Sequence, residues 1–264
     1  MIQTSQFNDL VKNARVLWRE GFNSIPFAAR KMYDVRNVNE KTSEHSIIDG
    51  YGFAERKSEG EKYVYGSIKQ GYTLNLSQQR IGLMDAVTFE MRKYDKYREI
   101  EKKMRKLGET TAKRIELDLT HQFTFGMSAS SYTNRNGETV STTSADGQNI
   151  FDTDHTATGN STTYSNLITT AFSRAGLEEA ENKFNTFEDN NGNIVDVMPD
   201  TIITGRNVTI QNAVKEFMKS TLIPDEANNA TNVYSGKYKH LVLPYLSTTA
   251  AGRVTTDYDN YWML

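Results

Sequence analysis

The sequence of 264 residues contains no cysteine. Disulfide bonds, thiolate zinc sites, iron–sulfur clusters and cysteine nucleophiles are therefore excluded. A run of about 18 apolar residues is also missing, so we predict no membrane-spanning helix. The N-terminus, MIQTSQFNDLVKNARVLWREGF, has neither an apolar core nor a small-residue cleavage site. We therefore predict no secretory signal in this segment.

An excess of charge of one sign is absent as well. Lys and Arg total 31 against 33 Asp and Glu, which gives a net charge of −2. A dedicated nucleic-acid-binding protein usually carries a clear basic excess, so this balance argues against that class. Hydrophobic residues make up 37% of the chain and aromatic residues 11%, which is enough for a packed core. A chain of this length forms one large domain or two modest ones.

The sequence motifs of common enzyme classes are missing too. No GxxxxGK or GxGxxG loop is present, and no GxSxG nucleophile elbow. The four histidines are scattered without the pairing that a zinc site needs; they are His45, His121, His155 and His240. We therefore predict no catalytic residue, no cofactor site and no metal site, and the chain is expected not to be an enzyme.

The first eighty residues contain segments that need support from elsewhere. Residues 1–45 combine a brief amphipathic helix with the polar stretch DVRNVNEKTSEHS, and we interpret them as an N-terminal arm. Residues 46–80 predict a long β-hairpin, because YVYGSIKQGYTLNLS alternates from Tyr63 and Tyr65 through Ser67 and Lys69 to Leu76. The charged stretch ERKSEGEK is its predicted tip. A hairpin of this kind has too little apolar surface to be stable alone.

Residues 84–125 give the strongest structural signal. Apolar residues recur every three or four positions from Met84 to Phe123, with charged residues between them, and Asp85 is the expected N-cap. The periodicity predicts one helix of about 40 residues, roughly 60 Å long, which Gly108 weakens or bends. A coiled coil is the alternative, but the stripe is rich in Met, Tyr and Thr and lacks clean heptads. We therefore favour an amphipathic helix packed on a sheet.

The second half predicts an α+β structure. Residues 126–165 form a long polar loop, with a turn at Asn136-Gly137. A helix is expected from Leu167, a tight turn at Asn191-Gly192, and a strand after Pro199. The helix VTIQNAVKEFMKS, capped by Asn207, and the strand YKHLVLPYL follow, with polar sequence beyond Pro224 between them.

The stretch FDTDH, residues 151–155, raises the question of a metal site. Asp152, Asp154 and His155 offer three ligands within four positions. Short Asp and Asn side chains more often organise turns through hydrogen bonds to the backbone, and we favour that interpretation. A calcium loop beginning at Asp189 is excluded, because its sixth position is Ile194 and its twelfth is Asp200.

The order of these elements resembles the major capsid subunits of tailed bacteriophages with the Hong Kong 97-type fold. DGQNIFDTDH, DTIITG, NVYSGKYKHLVLPYL and the final YWML follow one another as in the Mu-like major head subunit family. The resemblance implies an N-terminal arm (1–45) and an extended hairpin loop (46–80). It also implies a peripheral domain with its spine helix and polar loop (81–165), an axial domain (166–235) and strands returning to the peripheral domain (236–264). Such subunits usually continue past the tryptophan motif, whereas this chain stops at Leu264, so a fragment, a short variant and completion by a neighbouring subunit are the alternatives.

The function implied by the resemblance is self-assembly. Pentamers and hexamers would form an icosahedral shell around double-stranded DNA, assembled in the cytoplasm of a host bacterium. DNA would be enclosed without specific binding, and portal, scaffold and decoration proteins are the further expected partners. The FDTDH stretch would then belong to a structural loop of the subunit.

Two alternatives remain open at this stage. The first is an encapsulin-like compartment shell with the same fold and a protein cargo. The second is a metal-binding protein that uses Asp152, Asp154 and His155. Some shells of this fold also carry lysine–asparagine cross-links, for which Lys57, Lys62 and Lys69 lie in the expected region. Nothing in the sequence identifies the partner asparagine or a catalytic glutamate, and ordinary surface lysines are the favoured interpretation.

Overall fold

A computed structural model describes residues 4–48, 50–66, 68, 70–94, 97–158, 162–222 and 231–264. The chain divides into two compact units, each formed by two stretches of sequence. Unit 1 comprises residues 1–37 and 78–120, and unit 2 comprises residues 38–77 and 121–264. No helix in the described part of the chain is long and apolar enough to cross a membrane.

The regular secondary structure described in unit 1 is helical. It contains α1 (Thr4–Asn23), a 3₁₀ turn (Ala29–Met32), α2 (Phe89–Lys93) and the first part of α3 (Tyr97–Gly126). The N-terminal helix therefore runs for 20 residues and is longer than the brief helix predicted for the arm. The predicted start of the spine helix at residue 84 is wrong, because residues 81–88 are not helical. Thr88 is the N-cap of α2, in place of Asp85, and accepts a hydrogen bond from the Met91 amide at 3.3 Å.

Two glycines allow α1 and α3 to touch through their backbones. A Cβ atom on Gly108 would lie 2.1 Å from the Trp18 carbonyl oxygen, and one on Gly21 would lie 2.0 Å from the Arg105 carbonyl oxygen. Both distances are far inside van der Waals contact, so only glycine fits at either position. Gly108 was predicted to weaken α3, but its place in the structure is this helix crossing. Glu20 and Arg105 add an ion pair at 3.2 Å.

The turn after α1 is also fixed on α3. The Ala29 amide donates a hydrogen bond to Glu116 Oε1 at 2.7 Å, and the Tyr33 hydroxyl donates one to the Leu119 carbonyl at 2.8 Å. Ala29 and Ala112 are fully buried. Within unit 1 the apolar side of α3 is therefore covered by helical and turn segments of the same chain, where a sheet was expected.

Unit 2 contains the strands and two further helices. The long hairpin pairs β1 (Thr42–Ile48) with β2 (Gln70–Ser77), and two short hairpins pair β3 (Ser131–Thr133) with β4 (Thr139–Ser141) and β5 (His155–Thr156) with β6 (Thr163–Tyr164). The remaining elements are α4 (Arg174–Phe184), β7 (Thr201–Thr204), α5 (Val208–Lys219), β8 (Lys239–Val242) and β9 (Trp262–Met263). Strand β7 is central in a three-stranded sheet, parallel to β8 and antiparallel to β9.

Local signals placed several of these elements correctly. Gly137 has φ +83° in the turn between β3 and β4, and Asn207 caps α5 by accepting a hydrogen bond from the Thr209 amide at 3.0 Å. The predicted polar loop 126–165 contains two hairpins instead of being structureless throughout. Helix α4 begins at Arg174, later than the predicted Leu167, because the Ser173 hydroxyl caps it by accepting a hydrogen bond from the Gly176 amide. Pro224 lies outside the described residues.

The core of unit 2 lies between the three-stranded sheet and its helices. Its buried members come from α4, α5, β7, β9 and the loop before β8; they are Leu177, Ala180, Ile202, Val214, Phe217, Tyr234, Tyr238 and Trp262. The C-terminal turn of α3 contributes a second buried group. Phe125 stacks on Tyr132 with ring centroids 4.5 Å apart, and His121 Nε2 lies 2.9 Å from Thr248 Oγ1. Unit 2 is therefore a mixed helix-and-sheet body, as the α+β prediction requires.

Candidate intersubunit surface

The paired part of the long hairpin begins earlier than the sequence indicated. Thr42 pairs with Ser77 and His45 with Leu74, so four residues assigned to the arm belong to β1. The register shifts between Ser46 and Ile48, where the ladder is irregular. The polar sequence TSEHSII hid this strand, because both of its faces are largely open to solvent.

The segment between the strands leaves aromatic side chains uncovered. Residues 50–66 contain no strand, so the predicted pairing through Tyr63 and Tyr65 is wrong, and Ser67 and Lys69 lie outside the described residues. Phe53 is 87% exposed, Tyr63 86% and Tyr65 98%. Each such ring covers about 150–250 Å² when buried, so three uncovered rings on one segment indicate a candidate binding surface. We call residues 50–66 the hairpin loop.

The hairpin loop also carries the charged tip that the sequence predicts. Lys57 Nζ lies 2.9 Å from Glu55 Oε2, and the Ser58 amide donates a hydrogen bond to Glu61 Oε2 at 3.0 Å. A salt bridge between exposed side chains contributes little to stability. These contacts shape a solvated turn, while the aromatic side chains lie on the segments that flank it.

The hairpin is held near the loop end of its strands by a turn from a distant part of the chain. Asn191 Nδ2 donates a hydrogen bond to the Gly50 carbonyl at 2.8 Å, and Asn190 Oδ1 accepts one from the Thr158 amide at 3.0 Å. The Tyr72 hydroxyl lies 3.0 Å from Thr156 Oγ1. We call these three hydrogen bonds the root latch. Those of Gly50 and Tyr72 connect the hairpin to the turn between α4 and β7 and to β5, and that of Asn190 connects this turn to the segment after β5.

The turn that carries the latch is rigid for local reasons. Asp189 Oδ1 accepts hydrogen bonds from the Asn191 amide at 2.9 Å and the Asn193 amide at 2.8 Å, and Gly192 has φ +80°. Hydrogen bonds from the Asn193 side chain and from these amides lower the pKa of Asp189. The structure therefore has the tight turn predicted at Asn191-Gly192. Backbone amides of the turn occupy Asp189 Oδ1.

Removing the side-chain amide of Asn191 should loosen the hairpin without unfolding unit 2. In Asn191→Ala one latch hydrogen bond, worth about 1 kcal/mol, is lost, so amide exchange in β1 and β2 should rise about 5-fold while the Tm stays nearly unchanged. Hydrogen exchange with mass spectrometry measures both strands. Asn185→Ala, an exposed asparagine in the same unit, is the matched control. Equal exchange in wild type and Asn191→Ala would show that the latch does not hold the hairpin.

The FDTDH stretch is organised by hydrogen bonds and does not gather its three candidate ligands. His155 Nδ1 lies 2.7 Å from Asp146 Oδ2, and Asp146 Oδ1 accepts a hydrogen bond from the Ser144 hydroxyl. Asp152 Oδ1 accepts a hydrogen bond from the adjacent Thr153 amide at 2.7 Å. Asp154 is exposed. Among the described residues no group of three His, Cys, Asp or Glu side chains could hold a metal ion.

Asp146 is the residue in this loop that sequence reasoning missed. Its burial alone would raise the pKa of the carboxyl, but hydrogen bonds from Ser144 and His155 and from the Gln148 amide bring that pKa below its usual value. Asp146 and His155 are nine positions apart, and no sequence motif predicts that their side chains pair. Asn166 closes the same loop by accepting a hydrogen bond from the Asp152 amide at 2.8 Å and donating one to the Ile150 carbonyl at 2.8 Å. The stretch is a structural loop, as the turn interpretation predicted.

A second uncovered apolar segment lies in unit 1. Residues 81–88 precede α2; Leu83 is 60% exposed and Met84 93%, and Phe89, the first residue of α2, is 70% exposed. Sequence periodicity had placed Met84 in a buried helical stripe. Residues 81–88 are not helical in the structure, and the Leu83 and Met84 side chains face solvent.

An ordered body with uncovered aromatic and apolar segments is the arrangement expected of a self-associating structural subunit. The sequence model of the family described as phage capsid protein matches residues 71–264. No curated protein matches the chain. The structure is similar to a chain in the procapsid of bacteriophage JBD30, with a TM-score of 0.59 and 13% sequence identity over 92% of this chain and 99% of that chain. At this identity the similarity shows the fold.

The chain belongs to the phage capsid protein family, because the family match covers well over half of its residues. Its function is that of a structural subunit of a phage capsid shell. Self-association follows from this function, and family membership points to a structural role and away from catalysis. The compartment-shell and metal-binding alternatives are not favoured.

Proposed function

We propose that the protein is the major head subunit of a Mu-like tailed bacteriophage, with the Hong Kong 97-type arrangement of domains. Copies assemble as pentamers and hexamers into an icosahedral shell that encloses double-stranded DNA, within the cytoplasm of the host bacterium. Residues 81–165 and 236–264 form the peripheral domain and residues 166–235 the axial domain. Portal, scaffold and decoration proteins are its further partners.

One observation carries this proposal: the hairpin loop exposes Phe53, Tyr63 and Tyr65 on a segment that is tied to the body at its base. Contacts between the subunits of an obligate assembly commonly bury some 2,000 Å² or more, and aromatic side chains dominate such contacts. In the proposed shell the hairpin loop lies on a neighbouring subunit and covers these rings. The loop needs no stability of its own, because the neighbour supplies the missing apolar contact.

The test is shell formation by the full chain expressed alone. Phe53→Ser combined with Tyr65→Ser should give folded subunits that form no shells, because both side chains are exposed within the subunit and are needed only between subunits. Size-exclusion chromatography with light scattering and negative-stain microscopy measure assembly, and circular dichroism checks folding. Val254→Ser, which replaces another apolar side chain that is 79% exposed, should assemble like wild type.

Two results would contradict the proposal. Normal shells from the double variant would show that the hairpin loop is not an intersubunit contact. Wild-type shells from infected or induced host cells that contain protein cargo and no DNA would identify a compartment instead of a phage head.

A further inference from the structure

The near-neutral chain hides a strong separation of charge between its two units. Unit 1 carries seventeen Lys and Arg against eleven Asp and Glu, whereas unit 2 carries fourteen against twenty-two. Their net charges are therefore +6 and −8. Net charge averaged over the whole sequence argued against contact with nucleic acid, but that average does not apply to unit 1 taken by itself.

Ion pairs within unit 1 leave its net charge unchanged but occupy many of its carboxylates. Five of its carboxylates, including Glu20 and Asp118, already lie within 4.0 Å of Lys or Arg. Among the described side chains of unit 1, eight exposed cations have no carboxylate partner: Arg15, Arg19, Arg30, Lys31, Arg80, Lys93, Lys102 and Lys106. Only Glu90, Glu99 and Glu101 remain as exposed acids without a cation in the same set. The remaining charge is thus strongly positive.

The cations follow the helix surfaces in regular steps. Lys102 and Lys106 are one turn apart on the outer side of α3, and Arg15 and Arg19 are one turn apart on α1. Residues four apart on a helix lie about 6 Å from each other on the same face, which is close to the spacing of successive phosphates on one strand of DNA. Each pair can therefore contact neighbouring phosphates of one backbone.

The outer side of α3 does not have the composition of a protein interface. Every exposed side chain described on this helix is charged or is Thr110. Interfaces between proteins have an apolar centre and are depleted in Lys, whereas non-specific contact with DNA is made by Lys and Arg on phosphates. The acidic unit 2 of a second copy would complement this charge, but the surface lacks the apolar centre of a protein interface, so DNA is the stronger candidate.

We propose that unit 1 binds the phosphate backbone of DNA without regard to sequence, through the exposed Lys102 and Lys106 on α3 and Arg15 and Arg19 on α1. This inference rests on the proposed enclosure of DNA by the shell, and it assigns the contact to one unit of the subunit. The binding is electrostatic, so it weakens steeply as salt rises.

The experiment measures binding of unassembled full-length subunits to a short mixed-sequence DNA duplex by fluorescence anisotropy across a salt series. Lys102→Gln with Lys106→Gln should weaken binding and reduce the slope of log K against log salt by about 2, one for each lost phosphate contact. Lys215→Gln with Lys219→Gln is the matched control, because these exposed lysines are also one turn apart on a helix but lie in unit 2. The control pair should leave the slope unchanged.

A second pair of substitutions, on α1, tests DNA binding independently of α3. Arg15→Gln with Arg19→Gln should lower the slope in the same way, and circular dichroism confirms that each variant is folded. Absence of duplex binding by wild type, or an equal effect of the α5 control pair, would overturn the assignment. Shell assembly lost through Lys102→Gln with Lys106→Gln, while duplex binding is unchanged, would overturn it in favour of a contact between copies. Shell formation is scored separately, so failure of the proposed function is distinguished from failure of DNA binding.

Discussion

Gly108→Ala should displace α1 from α3 and destabilise unit 1 by about 2 kcal/mol, as overpacking does at closely packed positions. The added Cβ would lie 2.1 Å from the Trp18 carbonyl oxygen and 2.8 Å from the Phe22 amide nitrogen. Both atoms belong to the backbone of α1, so no side-chain rotation relieves the clash. Alanine is better than glycine within an isolated helix by about 1 kcal/mol, but here the clash outweighs that gain.

Thermal unfolding and hydrogen exchange over residues 13–23 would measure this effect. Gly82→Ala is the matched control, because a Cβ at Gly82 meets no atom within 4 Å and should leave both measurements unchanged. An increase in Tm for Gly108→Ala, as helix propensity alone predicts, would contradict the observed helix crossing. Gly21→Ala tests the same crossing from α1, since its added Cβ meets the Arg105 carbonyl.

Trp262→Ala should unfold unit 2 at much lower denaturant concentration, with a loss of about 3–5 kcal/mol. The indole ring packs edge-on against Phe172 at 5.4 Å, and its Nε1 donates a hydrogen bond to the Thr170 carbonyl at 3.1 Å. It also lies against Gly176 at the start of α4, where a Cβ would come within 3.3 Å of Cζ2. Its removal leaves a large cavity between β9 and α4.

Two further variants separate packing from hydrogen bonding at this position. Trp262→Phe keeps part of the aromatic contact but loses the hydrogen bond, so we expect an intermediate loss of about 1–2 kcal/mol. Val254→Ala, at a position that is 79% exposed, should have almost no effect. Chemical denaturation followed by circular dichroism compares the variants. A loss under 1 kcal/mol for Trp262→Ala would show that β9 is not part of the core.

Elements with a strong local signal were predictable from the sequence. The turns at Asn136-Gly137 and Asn191-Gly192 and the cap at Asn207 depend on a few neighbouring residues, and the structure has all three. Strand β7 after Pro199 and the class of the second half were predictable for the same reason. The function was predicted from the resemblance to a known family and not from the chemistry of individual residues.

Elements that depend on distant partners were placed less well. The sequence does not predict the start of strand β1, because its residues are polar. The strand is defined by pairing with residues on the other side of the hairpin loop, such as His45 with Leu74. The helical period continued through Met84 although that residue is exposed, since spacing alone cannot tell whether anything covers a stripe. The root latch joins residues 141 positions apart, and no local pattern predicts such a contact.

The root latch makes the hairpin a lever. Eight residues of extended chain reach at most about 27 Å, so a rotation of roughly 10° at Gly50 would move the tip by about 5 Å. Asn191 and Tyr72 hold the end of the loop nearest the strands, so a small change in their two hydrogen bonds moves the charged tip by more than it moves Phe53 and Tyr65. Subunits that must meet neighbours at more than one angle could use this mechanical advantage to adjust the tip while the body of unit 2 stays unchanged.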